Sequence, residues 1–170
     1  VPESIQENVI KIKPEEFLKS NISELKNQLK LDSQAANILD TLEIANKGND
    51  IESVRYFLKM IIKSLEAYKE KREFFEKVLE NNYLETLKEI KEEAEKSLNW
   101  INLLKISEEA LAQFPQNEII KKIKEEAERE NISKEDRKKY IEAHKFKLEN
   151  KWQEALKIYE EIYPKLNSYY

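Results

Sequence analysis

Glycine occurs once in the 170 residues, as Gly48, and cysteine does not occur at all. One glycine is too few for a glycine-rich phosphate loop, and too few for the turns that sheets normally need. The lack of cysteine excludes disulfides and thiolate zinc sites, though it does not separate a reducing cytoplasm from an exported location. Histidine is also single, as His144. A Ser-His-Asp or Cys-His arrangement would rest wholly on it, and no nucleophile-elbow motif accompanies it. No apolar run approaches the roughly 20 residues that cross a bilayer, and no apolar amino-terminal segment resembles a signal peptide. The expectation is a soluble, non-enzymatic chain with no cofactor, no metal and no membrane span. A chain that begins at Val1 rather than Met is expected to be a processed or excised product, which leaves its compartment open between the cytoplasm and export.

What the chain has is charge and helix formers. Asp, Glu, Lys and Arg make up 38% and hydrophobic residues 40%, with a net charge of -4 and both signs interspersed. Glu, Lys, Leu and Ala lose little freedom in a helix, so an all-α fold is expected. The mixed charge has no footprint for a phosphate backbone, so nucleic acid is not an expected partner. The length fits one domain.

Apolar spacing places the helices. Residues 1–13 have loose alternation at Val9, Ile10 and Ile12 and read as an extended arm. Pro14 suits a first helical turn, with Glu15 and Glu16 at the positive end of the dipole and Leu18, Ile22, Leu25 and Leu29 as the apolar stripe. That lead helix runs to about Lys30. Asp32 or Ser33 caps a helix carrying Ala35, Ile38, Leu39, Leu42 and Ala45, which Gly48 ends by adopting the left-handed conformation. Asp50 caps a segment with no internal breaker before Asn81-Asn82, read as one long helix or two joined tightly. Further breaks are expected at Asn99, at Phe114-Pro115 and at a Ser133-Lys134-Glu135-Asp136 capping box. A last hairpin joined at Glu149-Asn150-Lys151 ends or bends at Pro164.

A repeat runs beneath this pattern. Ile90-Lys91-Glu92-Glu93-Ala94-Glu95 recurs 33 residues later as Ile123-Lys124-Glu125-Glu126-Ala127-Glu128. Val54, Leu87, Ile120 and Leu156 align with it, as do Phe57, Ile90, Ile123 and Tyr159, at successive spacings of 33, 33 and 36. Gly48, Asn82, Pro115 and Asn150 each precede an aligned helix, as the loops of helical hairpins should. With Ala143, Phe146, Asn150, Trp152, Ala155, Leu156 and Tyr159 in its last unit, the chain resembles the tetratricopeptide repeat family, whose unit is a helix pair of about 34 residues. The resemblance implies a right-handed array of antiparallel helical hairpins, about four degenerate units over 33–168, after an arm and lead helix at 1–32. It implies small residues, here Ala143 and Ala155, where paired helices cross closely. It also implies a concave groove holding a partner peptide or helix, with Arg137, Tyr140, His144 and Lys147 as its positions on the last unit.

The remaining residues have plainer readings. The Glu92-Glu93-Glu95 and Glu125-Glu126-Glu128 clusters read as solvated helix faces rather than acid and base pairs. His144 reads as a surface or groove histidine. Trp152, Tyr159 and Tyr163 share a helix face and read as core packing rather than a recognition surface. Tyr169 and Tyr170 extend that cluster or hang free at the terminus. The function expected is a protein-protein interaction or scaffold module whose partner is a protein or peptide. The alternative is a structural helical spacer or dimerisation domain of a larger envelope or regulatory protein, with self-association, suggested by the long unbroken pattern from about Ile51 to Glu80.

Overall fold

The computed structural model describes residues 11–166, apart from the side chains of 132–134 and 163–166. Among the described residues the chain is all-helical and without strands, in the order α1 (Pro14–Phe17), α2 (Ile22–Leu29), α3 (Ser33–Lys47), α4 (Ile51–Ser64), α5 (Lys69–Ser97), α6 (Ile101–Gln113), α7 (Glu118–Leu148) and α8 (Trp152–Leu166). It divides into two compact units between Thr86 and Leu87, within α5. The arm residues Val9 and Ile10, the side chain of Tyr163, and Tyr169 and Tyr170 lie outside the described residues.

Three helix starts follow the capping chemistry. Asp32 accepts the Ala35 amide at 2.8 Å, and Asp50 accepts the Ser53 amide at 3.2 Å and its hydroxyl at 2.7 Å. The Ser53 bonds hold the Asp50 carboxyl below its ordinary value. Asn117, which the pattern did not single out, caps α7 by accepting the Ile120 amide at 3.0 Å.

The helix ends are a different matter, because Gly48 does not take the left-handed conformation expected of it. Its φ is -81°, and the next residue, Asn49, turns left-handed at 55°. The Asp50 amide then donates to the Ala45 carbonyl at 3.0 Å, closing a Schellman motif. The end of α7 repeats the device, with Asn150 at 63° and the Lys151 amide on the Phe146 carbonyl at 2.9 Å. Lys30 after α2 and Leu98 after α5 are left-handed as well. With one glycine, the chain turns on Asn where it can and on strained side chains where it cannot.

The helix boundaries differ from the sequence expectations at several points. The lead helix is two pieces, α1 and α2, parted by a turn at 18–21 that Asn46 ties to α3 by donating Nδ2 to the Leu18 carbonyl at 2.8 Å. Of the two readings of the segment after Asp50, two helices joined tightly is the one found: the pattern from Ile51 to Glu80 breaks at 65–68, where Leu65 is buried and the Tyr68 amide donates to its carbonyl at 2.8 Å. Conversely, Asn81-Asn82 and the Ser133 capping box break nothing. Both lie inside continuous helices, α5 and α7, since without Gly or Pro the backbone ladder runs on through residues that merely tolerate a helix. The backbone of α8 likewise continues past Pro164 to Leu166.

In the first unit α3 packs along α4, and α2 along α3. Ser23 of α2 donates to Glu43 of α3, and Lys26 pairs with Asp40, so three residues forward on one helix match three back on the other. Phe17 is fully buried, edge-on to Phe74 at 5.6 Å and Phe75 at 5.3 Å, which fixes the four-residue α1 against α5. In the second unit α6 and α8 both pack on α7. At about 45 Å, α7 is long enough to give its first half to α6, with Ile120 and Ala127 buried, and its second half to α8.

Phe17→Ala should cost about 3–5 kcal/mol in chemical denaturation, since the lost ring leaves a cavity that a four-residue helix cannot close. A loss under about 1 kcal/mol would mean that α1 does not belong to this core. Lys47, and then Ser23, hold the Glu43 carboxyl below its ordinary range by hydrogen bonding. A depressed carboxyl stabilises the fold above its ordinary range and loses that contribution as pH falls through the depressed value. Glu43→Gln should therefore flatten the acid limb of a stability profile between about pH 5 and 3, and an unchanged limb would remove Glu43 from the account.

Candidate functional site

The second half of α7 and α8 form an antiparallel hairpin closed by the turn at 149–151. Asp136 and Ala143 on α7, and Ala155 and Ile162 on α8, are all buried. Members of each pair are seven residues apart, two helical turns, so each pair marks one line along its helix. These lines form the seam. At its centre are Ala143 and Ala155, whose short side chains let the backbones approach.

The two sides of the seam differ. Lys139 and Tyr140 straddle the α7 line, and Glu161 and Tyr159 straddle the α8 line. On one side Lys139 donates to Glu161 at 2.6 Å. That bond, with the charges of Glu161 and Asp136 behind it, holds the Lys139 ammonium above its ordinary value. On the other side Tyr140 meets Tyr159 edge-on at 5.7 Å, and the Lys147 ammonium lies 6.0 Å from the centre of the Trp152 ring. Seven residues back along α7 and seven forward along α8 join these contacts, so one antiparallel register accounts for both.

Arg137, Tyr140, His144 and Lys147, the positions implied by the family resemblance, are all exposed on this second side. Their spacings of three, four and three make one stripe of α7, and Ile141 and Leu148 extend it. Trp152 and Leu156 of α8 adjoin it. Tyr140, Ile141, Leu148, Trp152 and Leu156 are between 50% and 73% exposed, an unusual density of bare large apolar groups for two short helical stretches. The expectation that Trp152 packs in a core is thus corrected, and Tyr159 is half-buried. Spacing put these residues on one face, but spacing carries no information on whether a third element covers it.

The charges on α7 are segregated. Glu135, Glu142 and Glu149 recur every seven residues on the opposite flank, and Asp136 is in the seam. The stripe itself bears Arg137, His144 and Lys147 and no carboxylate, while Glu160 stands at the outer margin on α8.

Elsewhere, Glu92, Glu93, Glu95, Glu125 and Glu128 are exposed, and the half-buried Glu126 pairs with Lys91 at 3.0 Å. Among the described residues no group of three or more His, Asp or Glu could hold a metal ion, and no helix is long and apolar enough to cross a membrane. Arg55, which the sequence pattern passed over, is buried with its guanidinium 5.3 Å from the Tyr83 ring centre, and its Nη1 has no hydrogen bond among the described residues. Its position between Val54 and Leu58 on the buried stripe of α4 was the available signal. No family model, curated protein or solved structure matches the chain.

Ala143→Leu should wedge the seam open at a cost of about 1–3 kcal/mol, with amide exchange rising first in α8. If α8 stays as protected as in the parent chain, the helices do not cross at Ala143.

Proposed function

We propose that the chain is a non-enzymatic protein-protein interaction module, a right-handed array of tetratricopeptide-like hairpins whose last hairpin holds a protein or peptide partner on the face carrying Arg137, Tyr140, His144 and Lys147. One observation carries this reading. At the aligned repeat positions Val54, Leu87 and Ile120 are buried, whereas Leu156 is exposed. The companion positions Phe57, Ile90, Ile123 and Tyr159 are all half-buried. In a stacked array each unit buries its apolar face against a neighbour, and a terminal unit normally substitutes a polar outer surface. In the last described hairpin that position keeps its leucine and leaves it bare, which supports a role in meeting another surface. The Lys91 to Glu126 pair supports the repeat, since it links the two copies of the six-residue word, on α5 and α7.

The second reading, a helical spacer or self-associating domain, draws on the 29 residues of α5 and the 31 of α7, lengths suited to bridging distance. A partner face predicts capture, and a spacer does not. Tyr140→Ala combined with Lys147→Glu should abolish retention of a specific protein from lysate by the full chain, with helical signal kept and the denaturation midpoint lowered only modestly, since both side chains are exposed and lose only the contacts with Tyr159 and Trp152. Identical retention by the parent and the variant would remove this face from the reading. A dimer in light scattering that the double variant dissociates would favour self-association.

A further inference from the structure

The exposed face of the α7 and α8 hairpin has a sign as well as a polarity. Five large apolar side chains lie bare on it, and the charged groups on its α7 stripe, Arg137 and Lys147 with His144 between them, are basic. This is a local inversion, since the chain as a whole carries -4. The acidic residues of the same stretch lie off that stripe: Glu135, Glu142 and Glu149 on the far flank, Asp136 in the seam, Glu161 bound to Lys139, Glu154 seven residues before Glu161 on the same line of α8, and Glu160 at the outer margin of α8.

We propose that this face takes an acidic amphipathic helix, whose apolar stripe covers Tyr140, Trp152 and Leu156 and whose carboxylates meet Arg137 and Lys147. The inference rests on the interaction reading above and adds the chemistry of the partner. The form of the face favours a helix as occupant. Two antiparallel helices leave a shallow groove above their seam, and a third helix laid in it completes a three-helix packing with anchors at helical spacing. The charge favours acid on that helix. Apolar contact supplies most of the affinity, while the charges select the sign of the partner and exclude others. A second copy docked through the same face is disfavoured, because two-fold pairing sets each basic stripe against a surface whose one marginal carboxylate is Glu160. Lys147 is already seated by the Trp152 ring, so the cation stands beside the principal apolar anchor rather than ranging through solvent.

The test uses the full chain and two labelled synthetic helices that share one leucine stripe, flanked in one by glutamates and in the other by lysines. The glutamate helix is expected to bind about tenfold tighter at low salt. That preference should collapse near 1 M salt, where the screening length falls to about 3 Å. Binding should shift the emission of Trp152, since Trp100 is buried and Trp152 is exposed. Arg137→Glu with Lys147→Glu should reverse the preference, and Trp152→Ala with Leu156→Ala should weaken the glutamate helix about tenfold or more while helix content holds. Equal affinity for both helices, or no binding of either, overturns the inference. So does tighter association with phosphatidylserine vesicles than with the glutamate helix, or a dimer that masks Trp152. If the peptides fail while the Tyr140 and Lys147 variant still loses a captured protein, the interaction reading stands and the acidic helix falls. If capture fails too, both fall.

Discussion

Two antiparallel helices can bury one seam between them and no more. The features of the carboxy-terminal hairpin follow from that limit. Its seam is filled by Asp136, Ala143, Ala155 and Ile162, and one side of it is closed by the bond from Lys139 to Glu161. On the side carrying Tyr140, Trp152 and Leu156 the contacts among the described residues are an aromatic edge contact and a lysine over an indole. Where α7 lies beside α6 the limit is eased, and Ile120 and Ala127 are buried. One uninterrupted helix thus has a covered half and a half-covered half, and the functional proposal concerns the second.

The length of α7 is itself a result of composition. A chain with a single glycine can leave a helix cheaply only on asparagine, and it does so at Asn49 and Asn150. At Lys30 and Leu98 it accepts a left-handed conformation in side chains that resist it, at about 1 kcal/mol each. At Lys30 part of this is offset, since Lys71 donates to the Lys30 carbonyl at 2.8 Å. Neither Gly nor Pro falls between Lys69 and Ser97 or between Glu118 and Leu148, so within those bounds the ladder of α5 and α7 runs on.

Local chemistry was legible from sequence. Asp32 and Asp50 cap where a short acceptor precedes an apolar stripe, and Asn99, Phe114-Pro115 and Asn150 mark real connections. The family resemblance placed Ala143 and Ala155 between paired helices, and both are buried. What was not legible depends on distant partners. Leu65 belongs to good helix-forming sequence, and the turn there goes with its burial, which no local signal records. Asn82 reads as a breaker but continues in α5, where Leu79, Tyr83 and Thr86 beside it are buried, and the Thr86 hydroxyl donates to the Asn82 carbonyl at 2.8 Å. Its own side-chain oxygen is left without a hydrogen bond among the described residues. Tertiary burial outweighed local preference at both positions.

The same distinction explains how much of the candidate site the sequence showed. Arg137, Tyr140, His144 and Lys147 came from position within a repeat unit, and periodicity alone puts them on one face of α7. Periodicity also put Trp152 and Tyr159 on one face of α8, and an aromatic stripe at helical spacing is more often core than surface. Whether such a stripe is core depends on a third body, which the sequence of two helices does not encode. The charge pattern does discriminate. A stripe destined for burial within its own chain has no use for Arg137, His144 and Lys147 interleaved with Tyr140, Ile141 and Leu148, because each buried cation would need its own acceptor. Apolar and basic residues sharing one stripe, with the carboxylates of that helix segregated to the other flank, are consistent with a surface that is dry only when an acidic partner is present.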